Sequence, residues 1–173
     1  NYYQLISKVS KFCFAPLSVG GGIRNTEQIN CLFKSGADKC ILNTLIYKDF
    51  KIVEWAVSEY GSQAIIGSID IKKLANGEYK VFTNNGKLNT NLSLSEAIDK
   101  VLNLGVGEII ISSIDNDGSG YGYNEYLLEN LPRDIPVEVI INSGAVSTKH
   151  FIDALKMDCF DAAAASNIFY FTE

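Results

Sequence analysis

Polar and glycine residues gather at six places along this chain: Gly20–Gly22, Asn43-Thr44, Asp70, Asp115–Gly118, Ser143-Gly144 and Ser166-Asn167. Each follows a short apolar run. The most informative is Val19-Gly20-Gly21-Gly22-Ile23-Arg24. Glycine reaches positive φ and has no Cβ, so backbone N–H groups can close on a ligand. A strand that ends this way and feeds a helix N-terminus makes an anion site, because the first helical amides lack partners within the helix. Taken alone, a triple glycine also fits a tight turn with no ligand. Its company further along the chain decides between the two.

These places need elements to position them, and the hydrophobic pattern supplies βα units. Short apolar strands alternate with amphipathic helices, which means a parallel sheet. Strands are expected at Leu17–Val19, Lys39–Leu42, Ala64–Ile69, Glu108–Ile114, Val137–Ile141 and Asp161–Ala165. Between them, helices carry apolar stripes such as Ile29/Leu32/Phe33, Ile52/Val53/Ala56/Val57/Tyr60, Leu94/Ala97/Ile98/Val101 and Phe151/Ile152/Leu155. Asn25 with Gln28 and Ser93 with Glu96 read as capping boxes. The repeat breaks once, at about residues 76–92. There Glu78–Thr83 and Lys87–Asn91 flank Asn84-Asn85-Gly86, a hairpin-turn signal, so one strand-to-helix loop expands into an antiparallel hairpin. The polar clusters all follow strand C-termini, the end of a βα barrel where chemistry is found. The fold class is α/β: a (β/α)8 TIM-barrel family chain of about six βα units, forming one incomplete barrel domain over residues 1–173. The start at Asn1 in what reads as mid-helix, and the end just after a strand, suggest a barrel cut at both ends.

Composition narrows the function classes. The chain is 47% hydrophobic and 20% charged, with a net charge of -5. That profile suits one globular domain that buries about 70% of its unfolded surface. The acidic balance and scattered Lys and Arg argue against nucleic acid and against a membrane surface. No apolar run approaches the ~20 residues of a membrane span. With 1 His and 4 Cys (Cys13, Cys31, Cys40, Cys159) lacking any CxxC spacing, no metal site and no cofactor is expected. Free thiols in a cytoplasmic protein are the reading.

The ordered set Ser18–Arg24, Gly36–Lys39, Ile41–Thr44, Gly61–Gln63, Ser68–Asp70, Ser112–Gly118 and Ala162–Phe171 resembles the cyclase subunit of imidazole glycerol phosphate synthase, the HisF family. The resemblance covers essentially the whole chain. It implies a cyclase that condenses ammonia with a bis-phosphorylated ribulosyl formimino-carboxamide nucleotide, releasing imidazole glycerol phosphate and aminoimidazole carboxamide ribotide. It also implies a glutaminase subunit docked on the opposite barrel face that delivers the ammonia. By position, the resemblance makes Asp70 the catalytic carboxylate, which would move protons during ring closure; an Asp after a strand also serves as a helix cap or turn residue. Gly22, Asn43 and Thr44 match one phosphate site. Gly144, Ala145, Ser166 and Asn167 match the second, with Gly118 adjoining. Asp117 and Ser112 match substrate-contacting or assisting residues. Lys39 and Glu108, at strand starts, match a ring of charges gating ammonia entry, although such residues are often simply solvent-facing. Asp38 and Gln63 match positions facing the glutaminase.

Three departures stand out. The family's first-strand carboxylate has no counterpart here, so these residues are expected to be inactive by themselves. The Ser-Gly-Gly loop reads Ser143-Gly144-Ala145, adding a Cβ where phosphate approaches. The last phosphate loop reads Ala165-Ser166-Asn167. Two other readings stay open. One is a HisF-like paralogue for ammonia-dependent amidation of a sugar in surface-polysaccharide biosynthesis, to which Ile69–Lys73 and Asp115–Gly118 also bear likeness. The other is a non-catalytic phosphate-binding fragment.

Overall fold

The computed structural model describes residues 2–170, apart from the side chains of Asn167 and Tyr170. Phe171, the last residue of the final sequence motif, lies outside the described residues. The order of elements is α1 (Tyr2–Val9), β1 (Ser18–Gly20), α2 (Thr26–Lys34), β2 (Lys39–Leu42), α3 (Thr44–Lys48) and α4 (Phe50–Tyr60), then a 3-10 turn at Ser62–Ala64. Next come β3 (Ile65–Lys73), β4 (Tyr79–Thr83), β5 (Leu88–Asn89), α5 (Leu94–Asn103), β6 (Glu108–Ser113), α6 (Glu125–Asn130), β7 (Glu138–Asn142), α7 (Thr148–Leu155), β8 (Ala162–Ala164) and α8 (Asn167–Tyr170). The main strand order is β1-β2-β3-β6-β7-β8, and the pairs β1–β2, β2–β3, β6–β7 and β7–β8 are parallel. Consecutive strands lying side by side in chain order are the signature of a (β/α)8 barrel, here incomplete. The chain divides into two compact units, residues 1–67 with 101–107 and residues 68–100 with 108–173. Two of the boundaries fall inside β3 and α5, and the third lies directly before β6.

In the first unit, Ile29, Leu32, Cys40, Leu42, Ile46, Val53, Ala56, Ile65 and Ile66 are all essentially out of water. All but Ile46, which lies on α3, belong to the stripes on α2 and α4 and to the apolar strands that the sequence predicts. Two helices follow β2 where the periodicity predicts one, because Asp49 breaks helical geometry between them with φ -150° and ψ 75°. The predicted capping box at α2 forms in a shifted version. Asn25 Oδ1 accepts from Gln28 N–H at 3.0 Å, while Gln28 Oε1 reaches past the cap to accept from Arg24 N–H at 2.7 Å. Gly67 is forced by packing, since a Cβ there would lie 2.3 Å from Val101 Cγ1. Of the four free thiols, only Cys40 and Cys159 are buried, and Cys31 is exposed. Burial pushes the Cys40 thiol up to about 12.

In the second unit, Ile69, Ile71, Val81, Ala97, Ile109, Ile111, Leu127 and Ile141 form the core. The predicted hairpin is present. β4 pairs antiparallel with β5 and also with the end of β3, in the register Asp70↔Phe82, Ile71↔Val81, Lys72↔Lys80 and Lys73↔Tyr79. This pairing carries β3 three residues past Asp70, where the sequence pattern ends the strand. Asn84 and Asn85, with φ of 53° and 57°, form the left-handed turn that the Asn-Asn-Gly motif favours. Among the described residues, no helix is long and apolar enough to cross a membrane.

The second predicted capping box, at the start of α5, forms in full. Ser93 N–H and Ser93 Oγ donate to Glu96 Oε2 at 2.8 and 2.7 Å, and Glu96 N–H donates back to Ser93 Oγ at 3.3 Å. The backbone and hydroxyl bonds from Ser93 hold the Glu96 carboxyl below its ordinary value. A depressed carboxyl contributes stability that is present above its unfolded pKa and is lost as pH falls through the folded one. Ser93→Ala is therefore expected to cost about 1 kcal/mol in urea unfolding at neutral pH. The difference from the parent protein should shrink as the pH falls below that of the ordinary carboxyl range.

Candidate functional site

Each glycine in the Gly20–Gly22 run has its own reason. Gly20 lies in β1, where a Cβ would meet Ile41 Cβ at 2.8 Å; the strand pair requires its absence. Gly21 and Gly22 have φ of 101° and 68°, and a Cβ on either would meet nothing within 4 Å. The turn is left-handed for conformational reasons, and the space beside it is open. Tyr2 Oη donates to Gly20 O at 2.9 Å, fixing the entry to the turn. Asn43 sits between β2 and α3 as the N-cap, and Thr44 opens α3. Both are half-buried. In this unit, then, the structure places Gly22, Asn43 and Thr44 after the C-terminal ends of the adjacent parallel strands β1 and β2.

Asp38 is exposed and already engaged: its Oδ2 accepts from Leu17 N–H at 2.8 Å, pinning the start of β1. Lys39 opens β2 opposite Ser18 and is half-buried. Gln63 is exposed on the 3-10 turn.

In the second unit, Asp70 lies within β3, half-buried, with Ser68 Oγ donating to its Oδ1 at 3.4 Å. Antiparallel pairing with β4 fixes its backbone on one side. On the other, the loop after β6 grips the strand beyond it: Ile114 N–H donates to Ile71 O at 2.9 Å and Asp115 Oδ2 accepts from Lys73 N–H at 2.7 Å. The two aspartates of Asp115-Asn116-Asp117-Gly118 therefore separate in role. Asp115 is a structural tie, and Asp117 is left facing a pocket.

That pocket is lined by Asp117 and Gly118 after β6, by Asn142–Ala145 after β7, and by Ala165 and Ser166 after β8. It brings together five of the sequence-predicted residues, namely Asp117, Gly118, Gly144, Ala145 and Ser166. Ser112 stands behind it, half-buried, with its Oγ accepting from Asn142 Nδ2 at 3.0 Å across the β6–β7 pair. Asn167 opens α8; its side chain lies outside the described residues. Ser143 and Gly144 have φ of 83° and 97°, so the backbone turns sharply at the end of β7. Such strain in a non-glycine residue costs of order 1–3 kcal/mol and is retained where the surroundings over-determine it. Here they do. Gly122 N–H donates to Gly144 O at 2.9 Å, and Tyr123 Oη donates to Ala164 O at 3.1 Å. Burial pushes the Tyr123 phenol up to about 12, keeping it a donor through the physiological range.

Glu108 opens β6 and is 7% exposed, so the solvent-facing alternative for this charge does not hold. Asn142 and Tyr123 are not singled out by the sequence, and Asn116 and Ser143 stand there only as members of the Asp115–Gly118 and Ser143-Gly144 clusters, with no role assigned. A polar Asn closing the apolar run Val137–Ile141 was the available signal for Asn142. The loop positions carry no periodic signal.

Successive βα units with polar loops after the strand ends place this chain in the (β/α)8-barrel class. Comparison with known proteins narrows the class. The whole of residues 1–173 matches the family model described as "Histidine biosynthesis protein", and the chain belongs to that family. It is 38% identical over 97% of its length to a protein of Chloroherpeton thalassium named imidazole glycerol phosphate synthase subunit HisF. Proteins of the same name from Saccharolobus solfataricus and Chlorobium chlorochromatii are 38% and 40% identical over 97% and 96% of the chain. The chain spans about two thirds (66%) of the length of each of these relatives.

The glycines make a contrasting prediction. A Cβ at Gly144 would lie 2.1 Å from Gly122 O, against backbone that cannot move aside. Gly144→Ala is expected to lose about 2–3 kcal/mol in chemical denaturation through the combined clash and left-handed strain. Gly22→Ala, with open space around it, should lose only about 1 kcal/mol from its backbone conformation.

Proposed function

We propose that the chain is the phosphate-holding and acid–base part of an imidazole glycerol phosphate synthase cyclase subunit, acting in histidine biosynthesis as a lyase. The observation that carries this reading is the pocket of the second unit. Loops after three successive strands converge on it, and they are the loops that the family resemblance assigns to a substrate phosphate. In this reading Gly118, Gly144, Ala145, Ser166 and Asn167 hold one phosphate by backbone N–H and side-chain donors. Gly22, Asn43 and Thr44 hold the other, at the open turn after β1. Backbone amides aimed at a fixed point bind an anion without reorganising, which suits a doubly charged group.

Asp70 is the group for proton movement. Its backbone pairs with β4 and the strand just beyond it is tied to the loop after β6, which supports a carboxylate that keeps one position while the nucleotide and ammonia react. Asp117 contacts the substrate at the rim, and Ser112 supports it from below. Lys39 and Glu108, at the starts of β2 and β6, act in ammonia entry. Asp38 and Gln63 belong to the face that meets a glutaminase subunit, the source of ammonia. The work is done in the cytoplasm, without cofactor.

Asp70→Asn, in the protein as it is encoded, should lower ammonium-dependent turnover of the bis-phosphorylated nucleotide by at least about a hundredfold. Its thermal midpoint should hold. Unchanged turnover would remove Asp70 from the mechanism. Turnover of an amidated sugar in place of the nucleotide would assign the same residues to the sugar-amidating paralogue. In a separate measurement, Gly22→Val should raise the substrate KM by about tenfold or more with a smaller effect on kcat, because it fills the open side of the turn; an unaffected KM would make Gly20–Gly22 a plain turn.

A further inference from the structure

In the second unit, a set of hydrogen-bonded polar side chains joins the loops that line the pocket, and the reading above gives it no role. Ser113 is fully buried and Asn124 is 6% exposed. Asn116 Oδ1 accepts from Ser113 Oγ at 2.9 Å and from Asn124 Nδ2 at 2.7 Å, and Ser113 Oγ accepts from Asn124 Nδ2 at 3.1 Å. These contacts make a triangle of three side chains. Two arms leave it: Asn124 Nδ2 also donates to Tyr79 Oη at 3.4 Å, and Asn116 Nδ2 donates to Gly122 O at 3.1 Å. Gly122 in turn gives its N–H to Gly144 O at 2.9 Å. The loop carrying Asp117 and Gly118 is thereby tied through Asn116 and Gly122 to the loop carrying Gly144 and Ala145.

The cost of this arrangement points the same way. Asn124 Oδ1 is buried and, among the described residues, accepts no hydrogen bond. A buried amide oxygen left unsatisfied is unfavourable, and an apolar residue of similar shape would avoid that penalty. Here the amide group of Asn124 is held by what its Nδ2 does, which is to orient the Asn116 amide toward Gly122.

We infer that Asn116 and Asn124 are positioning residues that set the spacing of the two loops gripping phosphate in this pocket. The inference rests on the phosphate reading of that pocket. Neither side chain needs to touch the anion. They act through Gly122, whose backbone meets that of Gly144, a residue on which a Cβ would lie 2.1 Å from Gly122 O.

The test is a titration of the chain with inorganic phosphate at fixed ionic strength, followed by the backbone amide shifts of Gly118 and Gly144. The amides of Gly22 and Thr44 serve as an internal reference. Asn116→Ala and Asn124→Ala should each weaken phosphate binding at Gly118 and Gly144 by about fivefold to tenfold, the scale of one lost hydrogen bond. The reference amides should respond as in the parent. The double variant should be no weaker than about the worse single one, because both changes cut the same chain of contacts. Asn130→Ala, an exposed asparagine on α6, should change nothing. If Asn124→Ala unfolds the loop, Asn116→Ala, at a half-buried position, still decides the matter. Loss of stability with unchanged phosphate affinity, or fully additive losses, would overturn the positioning role. Ser166→Asp, which puts a carboxylate into the pocket, checks the underlying reading. If it too leaves the Gly118 and Gly144 titrations unchanged, the pocket is not a phosphate site and the inference falls with it.

Discussion

An aspartate is held in place on an interior strand when the strand's backbone is satisfied on both sides, because each unpaired buried N–H or C=O costs about 1–3 kcal/mol. β3 meets this condition by changing partners along its length. Its first residues pair in parallel with β2, and its last ones pair antiparallel with the hairpin strand β4. The loop after β6 supplies further bonds to Ile71 and Lys73. The hairpin is thus the element that lets β3 continue past Asp70, and it fixes the carboxylate on a strand where a loop would have left it mobile.

The loops of the second unit follow the same logic with glycine in place of a partner strand. Gly122 and Gly144 meet backbone to backbone, and no residue with a Cβ could replace Gly144 there. The left-handed Ser143 beside it is held by contacts on either flank. The backbone groups around the pocket are in consequence held in one arrangement by the chain itself.

Much of this was legible in the residues. The Ile- and Val-rich runs gave the strands, the two capping pairs marked helix starts, and Asn84-Asn85-Gly86 marked the hairpin. The order of the glycine and polar clusters along the chain gave the family. What escaped the sequence depends on contacts distant along the chain. The extension of β3 to Lys73 arises from pairing with β4, and nothing in Lys72-Lys73 itself favours a strand there. The split of one expected helix into α3 and α4 comes from the backbone at Asp49. The difference between Asp115 and Asp117, two residues apart in one motif, is a matter of which carboxylate reaches Lys73 N–H. The burial of Glu108 is likewise tertiary, since its neighbours in sequence do not distinguish it from an exposed strand-opening charge.

The first compact unit is discontinuous in the chain, because residues 101–107 return to it after the excursion of residues 68–100. Gly107 N–H closes that return on Ser62 O at 2.9 Å, and Val101 fills the place left by Gly67. Closing such a loop has an entropic cost that grows only slowly with its length, but it must be met before the contacts at its base contribute. During synthesis, residues 1–67 therefore cannot complete this unit until the hairpin and α5 have been made. Until then Ser62 O and Ile65 O lack the Gly107 N–H, and the place beside Gly67 lacks Val101. Assembly order in these residues is set by where the polypeptide doubles back, and position along the chain does not by itself fix it.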